Sequence, residues 1–391
     1  MSESRYSFNR AELGPVLVVS FISALRLLGI FLILPIFSAY VVRYPSATIP
    51  LAGVAFGVYA LSQCLFQVPL GWASDRWGRR PVLVAGLAMF AAGSLACALA
   101  RDIYELILAR AIQGGGAVGS VALAALADLT RSTVRTQAFT ITGIAVGGAF
   151  MLGILGGPIL AARVGIGGLF YILGGLGVLA TILAALTFPR GDSSMRKERP
   201  LPIGPMLADA SLRRIFVAAF VLSLALNMFF FTYPLSWTDL GLDRSQLWRV
   251  YLVIFLPSAA VIFPYMRRAE NRGTLRLAAL IGWIAATGGY AAYLFGAQYD
   301  FMLYVSGAAF FLGYSLFQPI LPAFLTQRIP ALGRGTATGL YTFFGFIGSS
   351  LGGMLAGALI RISPSLPELF GFLILVAWYF FGLPEPPESG S

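Results

Sequence analysis

The sequence predicts an all-α polytopic membrane protein, with twelve transmembrane helices in two pseudo-symmetric six-helix halves. Three observations predict it. First, 58% of the 391 residues are hydrophobic and only 11% are charged, with a mean hydropathy of +0.83; in soluble domains the charged fraction is about a quarter. Second, the apolar residues fall into stretches of about twenty, the length a helix needs to cross roughly 30 Å of hydrocarbon. Third, the longest polar interruption, "FPRGDSSMRKERPLPIGPMLADASLRR" from Phe188 to Arg214, follows the sixth stretch and divides the chain six and six.

In chain order the predicted spans are 13–41, 50–72, 82–100, 103–127, 137–162 and 166–188, then 213–239, 246–266, 275–296, 300–324, 336–360 and 366–383. The first is too long for a cleavable signal peptide, is interrupted by Arg26 and has no small-residue cleavage site after it, so it is expected to stay as an anchor. Residues 1–188 form one half, 189–212 a cytoplasmic linker, and 213–391 the other half with a short cytoplasmic tail. A duplicated architecture predicts echoes between the halves. "RTQAFTITGIAVGG" from Arg135 is matched by "RGTATGLYTFFGFIG" from Arg334, and "GWASDRWGRRP" from Gly71 by the degraded "YMRRAENRGTLR" from Tyr265, where Glu270 and Gly273 keep the spacing of Asp75 and Gly78.

The net charge of +11 sits in the short loops rather than on one face of a soluble domain, so it does not point to nucleic acid. Six basic residues fall in one alternating set of segments (Arg43, Arg101, Arg163, Arg244, Arg249, Arg361), Arg26 and Arg110 lie inside spans, and the rest occupy the other set. That bias orients both termini toward the cytoplasm of a bacterial-type inner membrane. Cys64 and Cys97 both fall within spans and read as packing residues. Histidine is absent, which removes the commonest metal ligand and the usual proton carrier near neutral pH. No catalytic pair, metal cluster or cofactor motif is found, so an enzyme is not expected.

Three stretches carry a family resemblance. "GWASDRWGRRPVL", with Gly71, Asp75, Arg76, Gly78, Arg79 and Arg80, resembles the loop between the second and third helices of the major facilitator superfamily. "RAIQGGGAVG" from Arg110 and "GILGGPILA" from Gly153 resemble its fourth-helix arginine and fifth-helix Gly-Pro motifs. Within that superfamily "LRLLGIFLILP", "ADLTRSTVRT" and "GTATGLYTFFGFIGSSLGG" resemble the YajR-type members of the drug and proton antiporter group. Those carry a further small soluble domain after the last helix, whereas this chain ends soon after "PEPPESGS". The resemblance implies alternating access, with Gly71, Asp75, Arg76, Gly78, Arg79 and Asp128 as a conformational gate. Asp75 is implied to lie near the start of the eleventh helix, around Arg334 to Thr338, and Arg79 to meet Asp128. The glycines are read as allowing a tight reversal and close helix approach. The plainer alternative, charges obeying orientation in a short turn, would suffice for Arg76 and Arg80 but requires neither an acid nor two glycines.

Charge inside a span is costly and usually faces a polar cavity. Arg26 and Arg110 are therefore candidates for contact with solute; for Arg110 the alternative is snorkelling beside Glu105. Tyr59, Gln63 and Gln67 recur every four residues and share one helix face, either for bonding between helices or for a ligand. Asn227, Tyr233, Gln318 and Tyr341 are the second half's cavity candidates. Apart from Asp128, Glu105 and Asp239 near helix ends, the acids are expected outside the spans. The family arginine of the fourth helix is linked to proton coupling, which makes Arg110, Asp128 and Glu105 the coupling candidates. Small residues at fourfold spacing in the fifth and eleventh spans read as close packing, and the resemblance implies that Gly153, Gly157 and Pro158 line the moving interface between halves. The function expected is secondary export of a small amphipathic or drug-like solute, coupled to protons. The chain is expected to work as a monomer among membrane lipids, without cofactor or nucleic acid. Two alternatives stay open, an organic-anion transporter without proton antiport and a non-transporting sensor on the same fold.

Overall fold

The structure, a computed structural model, describes residues 8, 10–116, 118–131, 133–188, 203–329 and 334–385. Of the linker expected at 189–212, residues 189–202 lie outside the described residues, as does the side chain of Arg334, and the remainder is largely helical rather than extended. The chain divides into two compact units, Met1–Ala47 with Val58–Lys197, and Thr48–Gly57 with Glu198–Ser391.

The first unit holds α1 (Arg10–Ile33), α2 (Phe37–Val41), most of α3 (Ile49–Trp77), α4 (Arg79–Leu99), α5 (Ile103–Gly115), α6 (Gly119–Asp128) and α7 (Arg135–Thr187). The second holds α8 (Ile203–Ala208), α9 (Ala210–Asp239), α10 (Leu247–Asn271), α11 (Leu275–Gly296), α12 (Asp300–Arg328), α13 (Arg334–Ile360) and α14 (Leu366–Phe381). Among the described residues ten helices are long and apolar enough to cross a membrane, and α14 is a shorter apolar one. The longest, α7, is two helices joined at Gly165, whose φ of 68° and ψ of 179° are not helical. Counting those two segments apart and adding α14 gives twelve, six to a half.

Two predicted spans are broken rather than continuous. The first divides between Ile33 and Phe37, where Pro35 cannot continue the helical ladder. The fourth divides between Gly115 and Gly119, where the glycine run turns the backbone (Gly116 φ −73°, ψ 33°). The seventh begins earlier than expected, at Ala210, because Asp209 caps it by accepting from the Ser211 and Leu212 amides at 2.7 and 3.1 Å.

Glycines set the helix pairing, and do so alike in both units. Gly153 and Gly157 of α7 lie against the backbone of Phe31 and Leu32 in α1, with Ser20 and Thr142 bonded 2.7 Å apart further along the same pair. Gly348 and Gly352 of α13 lie in the same way against Phe220 and Leu224 of α9. Each is a parallel pair, since contacts advance together along both helices. Antiparallel pairs are closed by Gly174 and Gly177 against Leu95 and Ala91 in the first unit, and by Gly289 and Gly313 against Phe310 and Ala286 in the second. Helices in lipid gain little from burying apolar surface against one another, so this close backbone approach supplies the packing attraction that holds them.

Candidate functional site

Where α3 gives way to α4, Gly78 adopts φ 93°, a conformation that favours glycine, and so permits the reversal. Across that turn Arg79 holds two carboxylates, Asp75 at 2.5 Å and Asp128 at the end of α6 at 2.9 Å. It also donates to Ser74 Oγ at 2.6 Å, and Ser74 donates in turn to the Gly71 carbonyl at 2.7 Å. Arg80, for which orientation would have sufficed, donates to the Ala185 carbonyl at the end of α7. Arg76 lies over the Trp72 ring at 5.5 Å. One expectation fails. Gly71 sits inside α3 with a helical backbone, so it does not serve the reversal, which falls on Gly78 alone of the two.

Three residues beyond Asp128, Arg131 is gripped by Glu12 from the first turn of α1, through Nε at 2.8 Å, Nη2 at 2.9 Å and the Arg131 amide at 3.1 Å. Hydrogen bonding to that carboxylate, with coulombic attraction behind it, holds the Arg131 guanidinium above the usual arginine range. The α6 end is thus fastened to α1 on one side and to the α3–α4 turn on the other. The sequence reading passed over Glu12 because its span began one residue later.

Deeper in the first unit a polar centre forms. Arg110 is buried, donates to Gln113 Oε1 at 2.6 Å, and lies over the rings of Tyr59 at 4.4 Å and Phe37 at 5.1 Å. Gln113 donates to Ser94 Oγ at 2.8 Å, and Ser94 to the Phe90 carbonyl at 2.7 Å. Gln63 donates to the Tyr59 hydroxyl, one turn away on α3, at 2.8 Å. Both Arg26 and Arg110 lie close enough to act electrostatically on Tyr59. Arg26 is half-buried, packs its guanidinium against Gly119, and keeps Nη1 buried without a hydrogen-bond partner. Gln67, one turn further along α3, is only half-buried. The sequence reading missed Gln113 and Ser94. The (i, i+3) spacing of Arg110 and Gln113 was the available signal.

The second unit is built differently. Phe229 stacks on Tyr233 and Phe310 at 4.6 and 4.5 Å, with Tyr293 at 5.3 Å and Phe311 at 5.5 Å around it. Tyr233 is fully buried and donates to the Leu303 carbonyl at 2.8 Å, tying α9 to α12. Asn227 donates to the Ser223 carbonyl one turn back on its own helix at 2.9 Å. Gln318 and Tyr341 are the polar neighbours of Tyr314. Glu105 is engaged at the start of α5: its carboxylate accepts from the Arg101 amide at 2.7 Å while its own amide donates to Asp102 at 2.8 Å. The expectation about acids needs correction, because Glu368, in the first turn of α14, is inside a span and only 5% exposed.

Twelve apolar helix segments in two sets of six, a charged cluster at one turn and a polar centre inside one half together make the architecture of a multi-pass membrane transporter. The family model described as Major Facilitator Superfamily matches residues 19–264 and 215–391. Inner membrane transport protein YajR of Escherichia coli (strain K12) is 33% identical over 381 residues, 94% of this chain and 83% of that protein. Multidrug resistance protein MdtH of Aeromonas salmonicida (strain A449) is 26% identical over 339 residues, 85% of this chain and 83% of that protein. Among solved structures, the nucleoside transporter NupG (D323A mutant) shares the fold with a TM-score of 0.74 at 14% identity, over 94% of this chain and 98% of that one. The chain belongs to the major facilitator superfamily, a family of membrane transporters and not of enzymes.

Proposed function

We propose that the protein exports a small amphipathic or drug-like solute by alternating access in exchange for protons, with both termini on the cytoplasmic side. The observation that carries this reading is the polar centre of Arg26, Tyr59, Gln63 and Arg110, enclosed in helices whose other faces are apolar. Such a centre is expensive in a bilayer unless something polar uses it, and aromatic faces beside guanidinium groups suit a solute with both apolar and polar parts. Likeness to a multidrug resistance protein supports the solute class. Gln67, Asn227, Gln318 and Tyr341 are assigned to the same solute path. Gly153, Gly157 and Pro158 are assigned to the helices that move. Asp75, Arg79 and Asp128 act as the latch that weights one state against the other, with Gly78 as its turn. Asp128 is committed to Arg79 and Glu105 to capping α5, which leaves Arg110 as the stronger coupling candidate of the three.

A second reading is favoured by one specific observation. The Arg26 Nη1 atom is buried and without a partner, and an organic anion would supply one. In that case the arginines bind the cargo and no proton moves.

The test is purified protein in liposomes that hold a pH-sensitive dye, challenged with candidate cations and anions across an imposed pH gradient. Proton movement that depends on a cationic drug is the expected result. Electrogenic anion uptake abolished by Arg26→Ala replaces the first reading with the second. Binding without flux of any ligand turns both down in favour of a sensor.

A further inference from the structure

Glu368 stands apart from every charged group the latch and the polar centre use. It lies in the first turn of α14, is 5% exposed, and its Oε2 is buried with no hydrogen-bond partner. The ion pairs among the described residues all lie elsewhere. What faces it is hydroxyl rather than cationic. From α11 come Tyr290 and Tyr293, both fully buried. Tyr290 donates to the Ala225 carbonyl of α9 at 2.7 Å, and Tyr293 shares a 2.8 Å bond with Ser236 of α9. Gly371, one turn along α14, lies against the Tyr290 ring, so the three helices are in direct contact around this carboxyl. The charged residues at the ends of the neighbouring helices are Asp239 at the end of α9, Asp300 at the start of α12 and Arg361 after α13, all exposed; residues 336–360 of α13 carry no charge.

An ionised carboxylate placed there would be buried without a counter-charge, which is strongly unfavourable even after the surroundings relax. The neutral acid needs only one acceptor for its proton and one donor for its carbonyl oxygen, and hydroxyls supply both roles. We propose that Glu368 is a reversible proton-binding site of the second half. A proton from water adds to a carboxylate oxygen to give the neutral acid held among Tyr290, Tyr293 and α9, and it leaves as the same O–H bond breaks when the site is hydrated. Tyr293 and Ser236 form the hydrogen-bonded link through which protonation at α14 is felt at α9. The site deepens the proton-coupled reading above, to which it would give a carboxylate, but its existence does not require flux.

The experiment is infrared difference spectroscopy of the full chain in lipid nanodiscs, titrated from about pH 5 to about pH 9, on wild type, Glu368→Gln and Glu368→Asp. In wild type the carbonyl stretch of one protonated carboxyl should be lost as pH rises. Glu368→Gln should lack that band, and Glu368→Asp should move it in frequency. Identical difference spectra in wild type and Glu368→Gln, or a Glu368 band constant over the whole range, would overturn the proposal. Liposome flux on the same three proteins separates the two claims. Loss of proton movement in Glu368→Gln with solute exchange retained makes the site the coupling carboxyl. An intact titration in a wild type that moves no protons refutes the coupled-transport reading and leaves the site standing.

Discussion

The two halves share a packing scheme and differ in what they put at its centre. In each, a parallel helix pair closes on glycines, Gly153 and Gly157 on α1 and Gly348 and Gly352 on α9. Inside the first half is a hydrogen-bonded centre running from Arg110 through Gln113 to Ser94. Inside the second, Phe229 is ringed by Tyr233, Tyr290, Tyr293, Phe310 and Phe311. The difference teaches that what the halves share lies in the backbone contacts, which are intolerant of any added atom, while the side-chain chemistry at their centres differs. A polar centre offers solute contacts at a cost in stability, whereas stacked rings contribute rigidity.

That division makes the largest predicted effect a structural one. Phe229→Ala removes a fully buried ring with five aromatic neighbours and should cost about 3–5 kcal/mol, read as a large fall in melting temperature in detergent. Solute affinity of the protein that remains folded should change little. Gln113→Leu comes next. It takes an acceptor from Arg110 and a donor from Ser94 in a buried network, at about 1–3 kcal/mol. Here the order reverses, with solute affinity falling by more than the stability loss accounts for. If Phe229→Ala abolishes binding while Gln113→Leu spares it, the assignment of the main polar solute contact to the centre around Arg110 is wrong.

Much of this was legible in the sequence, and the exceptions share a cause. Span number, the loop motif, the Arg79–Asp128 pair and the Tyr59–Gln63 face follow from period, composition and resemblance, because each depends on residues close in sequence or on a motif with its own geometry. Glu368 was misplaced because whether a polar atom in a span faces a partner, a void or another ring depends on helices far away in sequence, and the surroundings of Tyr233, buried against Phe229 and bonded to the Leu303 carbonyl, depend on them equally. Gly71 misled in another way. It belongs to the motif's pattern, but the turn requires a positive φ only at Gly78.

The Arg79 cluster, proposed above as a latch, lies at the lower end of the energy range, and its arithmetic would suit a switch. Arg79 is about a quarter exposed and its carboxylates more so, and exposed pairs are worth about 0.2–1 kcal/mol each. Arg79→Gln should therefore leave folding almost unchanged yet shift a two-state population up to about fivefold for each kcal/mol lost. Spin-label distances between the halves would read the change. Unaltered distance distributions would reduce the cluster to an orientation signal.

The second half offers the matching control. After α14 the chain turns at Gly382, with φ 107°, and brings Glu385 to Arg276 at 3.4 Å and Arg214 at 3.8 Å, while its carbonyl accepts from Arg328 at 2.7 Å. These carboxylate distances are longer than the 2.5 and 2.9 Å of the Arg79 cluster, and charge-assisted bonds weaken quickly beyond about 2.9 Å. The firmest tie here is made by the backbone, which a side-chain change does not remove. Glu385→Gln should accordingly alter stability by less than about 0.5 kcal/mol and leave the spin-label distances where they are. A shift equal to that of Arg79→Gln would mean that the two ends act as equivalent latches despite their different chemistry, and the contrast between the halves would then stop at their centres.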